Sequence, residues 1–171
     1  WVGFLMLLFF HFGWAKPVMV NPLNFKSTGI KNGMMLVSLA GPVMNLLLAF
    51  SAMVILKIWG LPLDMNSFFY VISNSSSAFS QATLVSGIAL ILYTLVFINL
   101  ILAVFNLIPV PPLDGSKILA GLLPDSGAQV IYSLEGYGPI ILLLLIITGV
   151  FSKILFPLVT LLYSLFVGIL F

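Results

Sequence analysis

The hydrophobic pattern of the chain consists of long apolar runs separated by shorter polar or proline-rich segments. About 20 mostly apolar residues are needed to cross the hydrocarbon core of a bilayer. Residues 34–59 and 84–108 reach that length, so each run predicts a transmembrane helix. Residues 2–12 are apolar but short, and no basic region precedes them, as it would in a signal peptide. They therefore predict the end of a helix that begins upstream.

Two further apolar runs, residues 138–151 and 156–171, close the chain, with Lys153 and Pro157 near their boundary. They predict either two more spans, the first rather short, or one helical hairpin that does not cross the membrane fully. The pattern as a whole predicts an all-α membrane protein with a single membrane domain over residues 1–171. Its architecture would be a bundle of about four transmembrane helices plus an N-terminal helix stump.

The connections between the runs differ in character. Residues 13–33 contain Pro17 and Pro22, and each proline pushes the residue before it out of the helical region. This predicts a short extended or β segment near residues 14–22. Residues 13–33 and 109–137 would lie on the same side of the membrane and together hold four of the six lysines. Their positive charge mildly favours that side as cytoplasmic.

Composition excludes several classes of protein. Apolar residues make up 62% of the chain and charged residues 6%, whereas a soluble domain is about half apolar and a quarter charged. A soluble globule and a disordered chain are both excluded. Without Cys there is no disulfide or thiolate metal site, and a single His, His11, excludes a two-histidine site within this chain alone. The net charge of +2 gives no argument for a nucleic-acid partner, so the expected environment is the lipid bilayer.

Polar residues cluster on particular faces of the predicted spans. Gly41 and Asn45 are four residues apart and share a helix face, while Pro42 between them leaves a carbonyl without its helical donor. In the next span Asn99 and Asn106 lie on one stripe. Such faces either pack against another helix, with Asn as an interhelical hydrogen-bonding group, or line a site. The pattern leaves both interpretations open.

Asp114 is the most informative single residue. Prolines at positions 109, 111 and 112 forbid continued helix before it, and such backbone is tolerated at membrane depth only inside protein or beside a water-filled cavity. Asp114 could cap a short helix over residues 116–123, with Gly115 aiding the turn. The other interpretation is a metal ligand or proton carrier, because an ionisable group near a membrane cavity is a functional candidate.

Three motifs follow one another in the chain. They are Phe12-Gly13-Trp14-Ala15-Lys16-Pro17-Val18 with Asn21-Pro22, then Ala40-Gly41-Pro42 with Asn45, then Asn106-Leu107-Ile108-Pro109-Val110-Pro111-Pro112-Leu113-Asp114-Gly115. Together they resemble the site-2 protease family of zinc intramembrane metalloproteases, peptidase family M50. The resemblance is closest to the short bacterial and archaeal members without a PDZ domain, and it covers most of residues 12–139.

The resemblance implies an active site that binds Zn²⁺. In the family, two His of an H-E-x-x-H helix and the Asp of an L-D-G motif bind the metal, and the Glu acts as general base. Asp114 matches the Asp ligand, and Asn106 matches an Asn that stabilises the oxyanion. The family's membrane-embedded strands receive an unwound substrate as an added strand. The matching substrate-binding residues are Trp14, Lys16, Pro17 and Val18, and the supporting residues are Gly41, Pro42, Asn45, Pro109 and Gly115.

One motif of the family is absent, since no H-E-x-x-H occurs in these residues. The family places it upstream of the position of Trp1, so we expect a C-terminal part of a protease, and we expect residues 1–171 alone to be inactive. The complete protein would be a multi-pass protein of a bacterial or archaeal cell membrane that cleaves transmembrane protein substrates in or near their spans. The alternatives are a transporter subunit, for which an internal repeat is missing, and a non-catalytic membrane interaction module.

Overall fold

A computed structural model of the chain describes Val20, Phe25 and residues 29–63 and 84–170. The chain divides into two compact units, Trp1–Ile30 and Lys31–Phe171, and the description that follows concerns the second. The helix stump and the extended segment near residues 14–22 fall outside the described residues. The prediction of a single membrane domain stays a prediction.

The second unit is built from α-helices, and the described residues contain no strand. The six helices are α1 (Ile30–Ile58), α2 (Leu84–Leu107), α3 (Asp114–Leu122), α4 (Asp125–Leu134), α5 (Gly138–Ile147) and α6 (Val150–Leu170). A 3₁₀ turn, Glu135–Tyr137, joins α4 to α5. Four helical stretches within the described part are long and apolar enough to cross a membrane: Ile30–Ile58, Gly87–Leu107, Asp125–Ile147 and Val150–Leu170. The predicted all-α fold with about four spans is confirmed.

The third span begins earlier than the sequence pattern predicts. It starts at Asp125 rather than near residue 138, because α4, the 3₁₀ turn and α5 follow one another as one helical stretch of 23 residues. Asp125 lies in the first turn of α4, where a carboxylate is favourable for the helix dipole. The polar residues of α4 are compatible with a helix because most of them are exposed, so the interpretation of this stretch as a polar loop was wrong.

The boundary between the last two apolar runs was also misplaced. Helix α5 ends at Ile147, and Gly149, two residues later, adopts a φ of 71°, a left-handed conformation that glycine reaches at no steric cost. Its backbone N–H donates to the carbonyl of Ile146, a common way for a helix to end. Pro157 lies inside α6 instead of separating two helices. By length both α5, as part of the third span, and α6 belong to spanning helices.

Helices α1, α2 and α6 share an apolar core. Met53 of α1 and Leu100 of α2 are fully buried in it. Edge-to-face aromatic pairs connect α6 to both partners: Phe50 lies against Phe166, and Phe105 lies against Phe151 with ring centroids 5.3 Å apart. The candidate site lies beside the middle of α1 and the C-terminal end of α2.

Two buried tyrosines fix the segment that follows α1. The hydroxyl of Tyr93 on α2 donates to the carbonyl of Pro62, and the hydroxyl of Tyr163 on α6 donates to the carbonyl of Leu63 at 3.1 Å. Backbone carbonyls beyond a helix end lack intrahelical donors, so both bonds satisfy groups that would otherwise be unpaired. The three spanning helices are therefore joined at this end by polar as well as apolar contacts.

Candidate active site

The irregular segment predicted between α2 and α3 is present and compact. The backbone N–H of Val110 donates to the carbonyl of Ile108 at 2.8 Å, and that of Leu113 donates to the carbonyl of Val110 at 2.9 Å. These two short-range bonds satisfy donors that no longer belong to a helix. Because prolines supply no donor, the segment needs few partners and can leave α2 and enter α3 within six residues.

Two glycines allow other backbone to pass close to this segment. A Cβ at Gly115 would lie 2.3 Å from the carbonyl oxygen of Leu107 and 2.4 Å from that of Ile108. A Cβ at Gly138, the first residue of α5, would lie 2.8 Å from the carbonyl carbon of Pro111. Both distances are shorter than real Cβ contacts, so only glycine fits at either position. The proline-rich segment is thus held between the first turns of α3 and α5.

Asp114 is the first residue of α3, but its side chain does not cap that helix. The N-cap residue is Leu113, and α3 has no side-chain capping hydrogen bond. Ser116 supplies a local bond instead, since its buried hydroxyl donates to the carbonyl of Leu113 at 2.7 Å. The interpretation of Asp114 as a cap is therefore wrong. Among the described residues, the half-buried carboxylate of Asp114 has neither a hydrogen bond nor an ion pair.

The carboxylate of Asp114 faces the polar face of α1. A Cβ at Gly41 would lie 3.8 Å from Asp114 Oδ2, an ordinary van der Waals distance, so Gly41 lies directly beside the carboxylate. Pro42 is buried next to this contact, and Asn45 follows one turn later on the same face, half-buried. Two residues that are 73 positions apart in the sequence are thus brought together at one place.

The two asparagines of α2 have different surroundings. Asn99 is buried, and its Nδ2 donates to the carbonyl of Leu95 at 2.8 Å, so its amide is partnered within its own helix. Asn106 lies at the end of α2, half-buried, and its side-chain amide makes no hydrogen bond in the described part of the chain. Of the two asparagines on the predicted polar stripe, Asn99 is therefore structural, and the side-chain amide of Asn106 is available.

Sequence comparison identifies the family. The family model described as Peptidase family M50 matches residues 25–146, which is more than half of the chain. The chain belongs to peptidase family M50. A similar protein from Bacillus subtilis (strain 168), "Putative zinc metalloprotease YwhC", is 34% identical over 155 residues, covering 91% of this chain and 64% of the relative. This chain therefore spans less than two thirds of that relative's length. No solved structure matches the chain.

Membership in peptidase family M50 confirms the predicted resemblance and places the chain in a family of metallopeptidases. With its four apolar helices, this M50 chain is an integral, multi-pass membrane protein. Trp14, Lys16, Pro17 and Val18, the predicted substrate-binding residues, lie outside the residues that the structure describes. Their role, like that of every predicted site residue, stays a prediction.

Asp114 of the M50 chain is suited to be one ligand of a metal ion. Within residues 29–63 and 84–170 no three His, Cys, Asp or Glu residues come together. Asp114 nonetheless offers what a metal ligand needs: a carboxylate whose oxygens have no hydrogen-bonding partner among the described residues. A zinc ion held here would take Asp114 as one ligand and would need further ligands from elsewhere in the protein.

Sequence reasoning missed a polar contact between α1 and the α3–α4 corner. Lys31 Nζ donates to the carbonyl of Leu123 and lies 3.1 Å from Asp125 Oδ1. One indication of this pair was present in the sequence, namely that charged residues are scarce: the chain contains only four acids and six lysines. The Asp125 side chain is 92% exposed, and it is paired with Lys31.

Proposed function

We propose that the complete protein is a zinc-dependent intramembrane endopeptidase that hydrolyses peptide bonds in or near transmembrane segments of other proteins. One observation carries the proposal: the carboxylate of Asp114 lies at the start of α3, without a hydrogen-bonding partner among the described residues, beside Gly41 of α1. Membership in peptidase family M50 and the zinc named in the Bacillus relative support the choice of reaction and metal.

Asp114 would supply one carboxylate ligand to Zn²⁺. Bound zinc would make a water nucleophilic at neutral pH and polarise the scissile carbonyl. The remaining ligands and the general base are expected in the family's H-E-x-x-H helix, which these 171 residues do not contain. The position of Asp114 at a helix start, fixed by the close approach of Gly115 to the end of α2, would hold its carboxylate in one orientation.

Asn106 would stabilise the negative charge that develops on the substrate carbonyl. Its side chain is half-buried at the end of α2, eight residues before Asp114, and its amide has no hydrogen-bonding partner among the described residues. An amide donor placed where this negative charge develops stabilises the transition state more than the ground state. Trp14, Lys16, Pro17 and Val18 would bind the unwound substrate as an extended strand.

Replacing Asn106 with alanine is expected to lower kcat of the complete protein by about 100-fold to 1,000-fold, because one oxyanion donor is lost. The measurement is cleavage of a single-span reporter protein that the wild type cuts, in detergent, as a function of reporter concentration. Asn99→Ala is the matched control, since that amide is partnered within α2 and should leave kcat within a fewfold of wild type. Equal losses in both variants would contradict the assignment.

The 171-residue chain expressed by itself is expected to have no peptidase activity. It contains one His, His11, and no H-E-x-x-H, so it lacks two zinc ligands and the general base of the family. The measurement is the same reporter assay with purified residues 1–171 in the presence of added zinc. Zinc-dependent cleavage by this chain that Asp114→Ala removes would show that the missing ligands are not needed.

A further inference from the structure

Helix α3 lies antiparallel to the first third of α1, and three contacts define the pairing. At one end Lys31 of α1 reaches the carbonyl of Leu123, just beyond α3. In the middle Met35 contacts Gly121, and at the other end Gly41 faces Asp114. At about 1.5 Å per residue, the ten steps from Lys31 to Gly41 and the nine from Asp114 to Leu123 span about 15 and 14 Å. The three contacts therefore follow one another in opposite order along the two helices.

The middle contact requires glycine. A Cβ at Gly121 would lie 2.6 Å from Met35 Cβ and 2.8 Å from its Cγ and Sδ. The near atom is at the base of the Met35 side chain, so a change of rotamer cannot move it away. Small residues permit this kind of close helix approach in membranes. Any side chain at position 121 would push α3 away from α1.

The end contact is polar and joins three elements. The carbonyl of Leu123 is one of those at the C-terminus of α3 that lack an intrahelical donor, and Lys31 supplies the donor. The ammonium group also pairs with Asp125 in the first turn of α4 at 3.1 Å. Because the Asp125 side chain is 92% exposed, solvent weakens the ion pair, and the bond to the carbonyl carries more of the contact.

We propose that Lys31 and Gly121 are positioning residues that fix α3 against α1 and thereby set the place of the Asp114 carboxylate. Gly115 fixes the first turn of this nine-residue helix against the end of α2, so the contacts at its C-terminus would set the angle of α3 about that point and with it the orientation of the Asp114 carboxylate. The Lys31–Gly121 clasp, as we call these two contacts, acts on Asp114 without touching it. The effect on zinc rests on the proposed function of Asp114; the packing of α3 does not.

The first test measures the position of α3 without any activity assay. The variant Met35→Cys with Gly121→Cys is built in the complete protein in membranes, since these 171 residues contain no Cys of their own. A disulfide needs Cβ atoms about 3.5–4.5 Å apart, more than the 2.6 Å at which a Cβ at position 121 would meet Met35 Cβ. The cysteine pair therefore opens the Gly121 contact slightly and reports on the Lys31 contact alone. We expect rapid disulfide formation on mild oxidation, slowed several-fold by Lys31→Met and restored by Lys31→Arg. Lys153→Met, an exposed lysine of α6, is the control.

The second test measures zinc retention, with the cysteines absent. Lys31→Met is expected to speed loss of zinc to a soluble chelator about tenfold, the lower end of the effect of removing groups that orient a metal ligand. Lys31→Arg should restore retention because it keeps a charged donor within reach of Leu123, and Lys153→Met should match wild type. Asp114→Ala is measured in parallel and should retain no zinc.

The outcomes separate the two proposals. Slower disulfide formation together with faster zinc loss in Lys31→Met, both reversed by Lys31→Arg, supports the positioning role. Unchanged disulfide formation, or unchanged zinc retention while Asp114→Ala loses its zinc, overturns it. If Asp114→Ala keeps its zinc, the proposed function of Asp114 fails, and with it the role of the clasp in metal binding.

Discussion

Replacing Asp114 with alanine in the complete protein is expected to abolish both zinc retention and peptide cleavage. The carboxylate makes no hydrogen bond in the described part of the chain and does not cap α3, so its removal leaves no structural partner unpaired. A catalytic zinc site with three protein ligands would be left with two. We expect affinity for zinc to fall by more than about 100-fold, beyond the usual effect of changes outside the ligand shell.

The measurement is zinc per polypeptide after gel filtration in zinc-free buffer, with cleavage of a reporter protein in the same sample. Asp114→Asn keeps the shape of the side chain and removes its charge, and it should also lose zinc. Glu135→Gln is the matched control, because Glu135 is an exposed carboxylate that forms no bond within the described residues. Full zinc occupancy in Asp114→Ala, with a wild-type elution profile, would contradict the assignment.

The spanning helices were predictable because lipid imposes a strong rule on sequence. A chain in hydrocarbon must satisfy its own backbone, and a long apolar run can do so only as a helix. Residues 34–59 and 84–108 therefore predicted α1 and α2 to within a few residues at each end. The same rule explains the irregular segment before α3, where prolines made continued helix impossible.

Prediction from the sequence failed where polar residues form part of a helix. Asp125 to Leu134 is polar enough to read as a loop, yet it forms α4 because its polar side chains are exposed. The end of α5 at Gly149 was missed because Lys153 and Pro157 gave stronger local signals for a break. A proline within a helix costs one hydrogen bond, which a long apolar helix can tolerate in a membrane.

The candidate site shows the same division between pattern and geometry. The sequence identified Asp114 and Gly41 as candidate site residues but could not decide whether Asp114 caps a helix or binds a metal. That choice depends on the direction of one carboxylate, which is set by contacts between residues far apart in the chain: Gly41 with Asp114, and Lys31 with Leu123. No local pattern encodes these distances, and the contact of Gly121 with Met35 was equally invisible.

Several positions around the site require glycine. The sequence alone did not distinguish these positions from those where a larger residue would fit. Gly115 and Gly138 touch backbone, whereas Gly87 and Gly136 have nothing within 4 Å of an added Cβ. Both sets lie in or beside helices. The distinction comes from where other backbone passes, and the proline-rich segment passes close to the first set.

Replacing Gly115 with alanine is therefore expected to prevent stable folding of the site. The added methyl group would lie 2.3–2.5 Å from backbone atoms of Leu107 and Ile108, which no rotamer change can relieve. Overpacking of side chains costs about 1–3 kcal/mol. A clash with backbone should reach at least the upper end of that range, about 3 kcal/mol. In a chain of this size that corresponds to a fall of roughly 10 °C in the midpoint of thermal unfolding.

The measurement is the temperature at which half of the purified complete protein leaves its monodisperse peak in detergent. Gly87→Ala is the control, because Gly87 lies in α2 with open space around it and alanine favours helix by about 1 kcal/mol. It should keep or raise the midpoint while Gly115→Ala lowers it and reduces zinc retention through displacement of Asp114. Equal midpoints for the two variants would show that α3 does not approach the end of α2 as closely as the structure indicates.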